Sequence, residues 1–456
     1  MSMSSTQNSD RRVRVRFVTK EEKYAVTDVA IAIPAKLNSK GLNEVISHLM
    51  GSDSSGANGE KKDFDFKIGN VLLRESVDSF MQKYGLSNEH VTEIEYFTQA
   101  DMDGEQQSED QEAWVGCIDA SVEGSGCIYT GCYDGSIKIA KAESLTTVTS
   151  VLGHNSHPIR GIRATDRYLI TGSKDHTMKC FAIKNGMENK SKGGIKDMNV
   201  SLMEVGITDT PSSSVESVDI DAARDLALCG EYNGNISGYN LKSCLDESNT
   251  TVAFSEVLLD GPNRKKKKGM GGEVETSQVK NLNAAFSMRA HAQCVTGLQI
   301  VSSRNRLYTC SYDHTVKIWD MERQDCISTI GCPKVATSVH WSESNSLIAT
   351  SHPDGKVRIW HADSKNIEEG NGSVGVYGGK KAQWISQVKW APSNEHIFSC
   401  VDYNGSVTLW DIRATQPLSS TEAHTGKGLC LDWVIGTSKI ATGGSDCILH
   451  ACPIRY

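Results

Sequence analysis

At 456 residues, 38% hydrophobic and 23% charged, the chain has an ordinary globular balance and a length that suits two or three domains. A net charge of −8 sets the chain as a whole against polyanions, so any nucleic-acid contact has to be local. No apolar run approaches the roughly 18 residues of a membrane span.

The start, MSMSSTQNSDRR, lacks the apolar core of a secretory signal, so the mature protein is expected to begin here. The 14 cysteines include no C-x-x-C pair and no Cys/His cluster at zinc spacing, which predicts buried free thiols in a reducing compartment.

Residues 11–97 form a first module. RVRVRFVTK alternates strictly, with Val13, Val15 and Phe17 on one face and Arg12, Arg14 and Arg16 on the other. The arginines read as the solvated face of an edge strand, because no interleaved aromatics support base stacking. YAVTDVAIAIP follows and predicts a hairpin. GLNEVISHLM then places Leu42, Val45, Ile46 and Leu49 on one helical stripe. After a Gly/Ser loop (51–62) come FDFKIGNVLLRESV, in which Asp63 and Asp65 alternate with Phe64 and Phe66, and TEIEYF. Hairpin, helix and further strands give the order of a small ubiquitin-like α+β (β-grasp) domain. ADMDGEQQSEDQE within residues 98–112 reads as an acidic linker.

From residue 113 onward one signature recurs: YTGCYDGSIKIA, ITGSKDHTMKCF, ALCGEYNGNISGYN, YTCSYDHTVKIWD, IATSHPDGKVRIWH, FSCVDYNGSVTLWD and IATGGSDCILHACP. Each copy is an apolar run, small residues, Asp or Asn followed by Gly, His or Cys, then an alternating strand. Asp-Gly and Asn-Gly predict tight primed hairpin turns, with both central residues at positive φ. The turn residues Asp134, Asp175, Asn233, Asp313, Asp354, Asn404 and Asp446 are spaced by 41, 58, 80, 41, 50 and 42 residues. A period near 41 with insertions is that of four-stranded propeller blades. The predicted fold is therefore mainly β, a seven-bladed β-propeller over 113–456 behind the ubiquitin-like module. Because the chain ends just after the third strand of the last unit, the outer strand that completes it is expected from residues 97–112.

The endings Trp319–Asp320 and Trp410–Asp411, with Trp360–His361, resemble the WD-repeat family. In that family a hairpin Asp, a strand Trp, a hydroxyl and a preceding His form a structural hydrogen-bond network. Here the fourth repeat holds the full set: His291, Thr309 or Ser311, Asp313 and Trp319. Tyr312–Asp313–His314 is therefore read as turn architecture. A P-loop, a nucleophile elbow and a Gly-rich dinucleotide turn are all missing, and the protein is read as no enzyme, with no cofactor.

With RVRVRFVTK…YAVTDVAIAIP, FDFKIGNVLLRESV and GLSNEHVTEIEYF, the whole chain resembles the WD-repeat ribosome biogenesis factors of the PeBoW complex, which carry a Notchless-like N-terminal domain. The resemblance implies a scaffold on the 60S pre-ribosomal particle, in nucleolus and nucleoplasm, with no membrane contact. It implies that the propeller binds the block-of-proliferation WD-repeat protein and, through it, pescadillo, with ribosomal RNA touched at most indirectly. It also implies that the first module docks on midasin, an AAA-type ATPase, where Glu89 in GLSNEHV would complete the partner's Mg²⁺ site.

GPNRKKKKGMGGEVETSQ lies in a Gly- and charge-rich insertion near 247–285, read as disordered, and Arg264, Lys265, Lys266, Lys267 and Lys268 read as a nuclear import signal. A competing expectation is a cullin-ligase substrate adaptor, since Trp410-Asp411-Ile412-Arg413 fits the short Trp-Asp-x-Arg pattern.

Overall fold

The computed structural model describes residues 11–20, 22–50, 64–69, 71–87, 90–98, 102, 104, 106–185, 200–208, 211–242, 279–362, 373–379, 383–414 and 416–454. The chain divides into two units: residues 1–103 with 410–419 and 454–456, and residues 104–409 with 420–453.

In the first unit the elements run β1 (Arg12–Val18), β2 (Ile31–Pro34), α1 (Ser39–Leu49), β3 (Phe64–Ile68), β4 (Val71–Leu72), α2 (Val77–Tyr84) and β5 (Thr92–Thr98). The sheet order is β2-β1-β5-β3-β4. β1 is antiparallel to β2 and parallel to β5. The arginine-bearing strand is thus interior, and the edge expected for it falls to the four-residue β2. Its alternation holds nonetheless: Val13, Val15 and Phe17 enter the core, while Arg12 and Arg14 stay exposed.

α1 starts at Asn38, whose side chain accepts from the Gly41 amide at 3.2 Å. Leu42 and Ile46 are buried, whereas Val45 is half-buried and Leu49 exposed, so the buried stripe is narrower than the spacing predicts. Asn43 completes it: its side chain donates to the Phe64 carbonyl at 2.9 Å and accepts from the Phe64 amide at 2.6 Å, fixing β3 to the helix.

The helix α2, over a stretch to which the sequence reading assigns no element, has signals of its own. Ser76 caps its start at the Ser79 amide, and Gly85, at φ +63°, ends it in the left-handed conformation. Asp65, expected on the polar face of a strand, is only 3% exposed. Arg74 holds it with two bonds of 2.8 and 3.0 Å, and burial still raises its pKa against that pairing.

Among the described residues the second unit contains seven sheets. Their first strands are Val115–Asp119, Ile159–Ala164, Val215–Asp221, Val295–Val301, Ser338–Ser342, Ile385–Trp390 and Gly428–Val434. Each first strand packs on the next, and the seventh packs on the first. Valines, isoleucines and cysteines fill the gaps. Val115, Ile118 and Ala140 of sheet 1, for example, share one cluster with Cys430, Ala441 and Leu449 of sheet 7.

Sheet 7 takes its outer strand, Gln107–Asp110, from upstream of sheet 1, antiparallel to Ile448–Pro453. That strand covers an edge that would otherwise present an open hydrogen-bond ladder. The insertion after the third strand of sheet 3 was expected to run without structure to about residue 285. Instead, Lys280–Leu282 pairs in parallel with Val200–Thr208 as a fifth strand of sheet 2, and Ala284–Arg289 is the outer strand of sheet 3.

The turns also differ from the primed type. Only their second central residue, namely Gly135, His176, Gly234, His314, Gly355, Gly405 or Cys447, takes positive φ. Where the turn closes, the glycine amide bonds three residues back, as Gly135 does to Cys132 at 3.2 Å and Gly234 to Glu231 at 3.1 Å. This is a turn with one left-handed residue after it, as in three-residue hairpins. The preceding Asp or Asn earns its place through its side chain, which accepts the amide two residues on, as Asp134 does from Ser136 at 2.9 Å and Asp313 from Thr315 at 3.0 Å.

Candidate functional site

Three side-chain systems could carry function, and the first lies inside the sheets. In sheet 4, His291 places Nδ1 3.0 Å from Asp313 and Nε2 2.8 Å from the Thr309 hydroxyl, to which the Trp319 indole donates at 2.9 Å. Thr309, not Ser311, is therefore the shared hydroxyl. Ser311 turns to the Gln293 carbonyl instead.

Sheets 2 and 7 repeat the core of this network without tryptophan: His154, Thr171 and Asp175 in one, His424, Thr442 and Asp446 in the other. In sheet 5, Trp360 donates to Thr350 at 2.8 Å, but the histidine is His352, from the strand end itself, and Asp354 pairs with Arg358. In sheet 6 the accepting carboxylate is Asp402 rather than the turn residue Asn404. Trp410 is buried.

The electrostatics follow burial and pairing. Burial works against the Asp175 carboxylate, but bonds from His154 and Thr177 outweigh it and hold its pKa at about 2. The same bonds from His291 and Thr315 keep Asp313 well below the usual range. Burial, with Arg358 nearby, lowers His352 to about 4. Every ring nitrogen of His291 and His424 is bonded within its own network. These groups brace the sheets, and nothing in their geometry offers a base to a substrate.

The second system runs around the inner strands. Asp119 accepts from the Ala164 amide at 2.6 Å, Arg163 donates to Asp219 at 2.8 Å, and Asp219 accepts from Ile300 at 2.7 Å. Gln299 accepts from Trp341 at 2.6 Å, His340 from Trp390 at 3.1 Å, Gln387 from Leu431 at 2.8 Å, and Asp432 from Ala120 at 2.9 Å. Each sheet thus binds the next, and the seventh binds the first. Burial, with Lys389 and Arg163 adding to it, keeps His340 neutral, as its accepting Nδ1 requires. No signature in the repeats announces these residues; they sit in the less conspicuous first strand of each unit.

The third system is a cavity of about 300 Å³ enclosed by the first strands, and its mouth. In five sheets the residue before the turn Asp or Asn bonds back to the residue before the first strand: Tyr133 to Trp114, Lys174 to Pro158, Tyr232 to Ser214, Tyr312 to Cys294 and Tyr403 to Trp384. Tyr232, Tyr312, Trp384 and Tyr403 line the cavity, and the Trp114–Tyr133 pair adjoins it through Arg160. Trp384 stacks on Tyr403 at 5.4 Å, and Trp114 tilts against Tyr133 at 5.4 Å. Tyr232 is 58% and Trp114 46% exposed. Arg160 donates to the Tyr133 hydroxyl at 2.7 Å and to Glu216 at 3.0 Å, and Lys427 lies 5.0 Å from the Tyr403 ring. Exposed tyrosine and tryptophan beside cations are the residue types that dominate protein interfaces.

Other residues singled out by sequence stand apart from these systems. Glu89, Asp63 and the run Arg264 to Lys268 lie outside the described residues. Arg413, the end of the Trp-Asp-x-Arg pattern, folds back on Asp411 through bonds of 2.6, 2.9 and 3.2 Å and is 15% exposed, so it is not a free arm. Among the described residues all cysteines are free thiols, and burial pushes most of them up, Cys132 to about 11 and Cys229 to about 12. No described helix is long and apolar enough to cross a membrane.

Comparison with known families agrees with this architecture. The NLE (NUC135) domain matches residues 13–81. The WD domain, G-beta repeat, matches 145–181, 283–320, 324–361 and 372–411. A ribosome biogenesis protein WDR12 homolog of Oryza sativa subsp. japonica is 27% identical over 98% of this chain and 97% of its own length. Homologs of the same name match comparably: from Arabidopsis thaliana at 27% over 96% and 95%, and from Chlamydomonas reinhardtii at 26% over 98% and 99%.

Proposed function

For a chain that takes its place among the Notchless-like WD-repeat ribosome biogenesis factors, we propose the work of a non-enzymatic scaffold of large-subunit assembly. Its seven sheets act as the blades of one WD propeller, and its first unit is a ubiquitin-like handle. The propeller holds another WD-repeat protein, the block-of-proliferation partner, and through it pescadillo on the 60S precursor. The handle docks on midasin through Glu89, and residues 264–268 direct nuclear import.

The observation that carries the scaffold reading is the cavity mouth. Tyr232, Trp114 and the Trp384–Tyr403 stack stand exposed or half-exposed, tied down by backbone hydrogen bonds, with Arg160 near the Tyr133 ring and Lys427 near the Tyr403 ring. Rigid aromatic anchors lose little conformational entropy on binding. The partner propeller is expected to seat there.

The test is co-purification of the partner by full-length protein carrying Tyr232→Ala with Trp114→Ala. We expect loss of the partner WD-repeat protein at an unchanged unfolding temperature; undiminished capture would refute the assignment of this face. Glu89→Ala tests the handle separately: midasin binding should fall while partner capture persists. The cullin-adaptor alternative has no such support, since Arg413 is tied to its own Asp411.

A further inference from the structure

Sheet 7 departs from sheet 4 at four positions, and the four departures converge on one spot. Opposite the network threonine, sheets 1, 2, 4 and 5 carry a long cation: Lys138, Lys179, Lys317 and Arg358. Sheet 7 pairs Thr442 with His450 instead. The His450 ring stands edge-on to His424 with centroids 4.8 Å apart, and its Nδ1 is buried without a hydrogen-bond partner. An orphaned buried imidazole nitrogen calls for an occupant.

Two further departures make room for one. Where sheets 2 and 4 have Ser173 and Ser311, sheet 7 has Gly444. A Cβ there would stand 2.5 Å from His424 Nδ1 and 2.8 Å from the Asp446 carboxylate, so the glycine keeps that space open. The turn's bracing hydroxyl, Thr315 in sheet 4, is replaced by Ile448. His424 Nδ1 is left with Asp446 alone, at 3.0 and 3.1 Å.

The fourth departure frees the other ring nitrogen. In sheet 4 the Thr309 hydroxyl already accepts the Trp319 indole. Sheet 7 carries Cys452 at that register position, opposite Ile440 as Trp319 is opposite Leu307. The Thr442 hydroxyl can therefore accept a hydrogen bond from His424 Nε2–H, 3.1 Å away, which leaves the Nδ1 lone pair for a ligand. An acceptor on the far ring nitrogen commonly sets the tautomer of a metal-bound histidine.

We infer that His424, Asp446 and His450 form a binding site for a divalent transition-metal ion of the zinc class on sheet 7. Their ligating atoms all lie within 4.8 Å of one another. Two imidazoles and a carboxylate suit such an ion, with water in the fourth position. The site sits on the strand that receives Gln107–Asp110, opposite Ser108 in register. Its ligands come from the segment entering sheet 7, from the turn and from the strand after it, so a bound ion would tie these three segments together.

The experiment uses the full-length protein, stripped with chelator, and Co²⁺ as a spectroscopic stand-in for Zn²⁺. One equivalent should bind with visible d–d bands, without a thiolate-to-cobalt charge-transfer band, and the unfolding temperature should rise. His450→Lys restores the residue type of sheets 1, 2 and 4 and should weaken binding more than about 10-fold. Gly444→Ser keeps every ligand and should weaken it by closing the space. Failure to bind, equal binding by the His450→Lys protein, or a thiolate charge-transfer band would each overturn the assignment.

Discussion

Replacing Thr309 by valine keeps the side-chain shape and removes one oxygen. That oxygen serves two buried groups, the Trp319 indole at 2.9 Å and His291 Nε2 at 2.8 Å. All three residues are buried, so no water replaces it. An unsatisfied buried polar group costs about 1–3 kcal/mol, and Thr309→Val leaves two. Thr442→Val leaves only His424 Nε2, because sheet 7 has Cys452 where sheet 4 has Trp319.

The difference between the two variants should therefore be one orphaned indole, about 1–3 kcal/mol. Urea midpoints of the full-length variants measure it. A double-mutant cycle adds the control: in a Trp319→Phe background, the cost of Thr309→Val should fall to that of Thr442→Val. Equal costs for the two threonines, or a Thr309→Val cost indifferent to residue 319, would refute the shared-hydroxyl account.

Three further outcomes are expected. His352 has a folded pKa of about 4, lowered by burial and then by Arg358, against about 6.5 unfolded. Its neutral form is the native one, so its contribution is full above about pH 6.5 and is lost as pH falls toward 4, by no more than about 3 kcal/mol. His352→Gln should flatten that part of the stability–pH curve, and an unchanged slope would count against it. Arg74→Ala leaves Asp65 buried without its cation and should destabilise the first unit by about 3–5 kcal/mol, read by thermal unfolding, while Arg74→Lys recovers part of it. Replacing Gln107–Asp110 by a Gly-Pro run strips sheet 7 of its outer strand. Light scattering should then show concentration-dependent association; a monomer of unchanged melting temperature would argue that the strand is dispensable.

Residue order alone was enough to locate the turns, the alternating strands and the first helix, because each answers to a local demand. Only Gly, or a residue tolerating positive φ, can hold position 135 or 314, and the Asp before each takes the amide that follows. Val13, Val15 and Phe17 face inward in any sheet that has one buried side. Position within a sheet is not local. β1 became interior only because β5, far along the chain, runs parallel to it, and Asp65 became buried only because Arg74 folds over to meet it.

The same limit governed the functional groups. Sequence could name His291, Asp313 and Trp319, but the choice of Thr309 over Ser311 depended on which hydroxyl the strand pleat turned toward the ring. The belt from Asp119 to Asp432 was out of reach, since its bonds join residues up to 312 apart and no shared residue type marks them. The meeting of His450 with His424 was equally hidden, because they lie on different strands and only the packed sheet brings their rings together. Backbone geometry is written residue by residue, whereas partnership between side chains exists only once distant strands are in register.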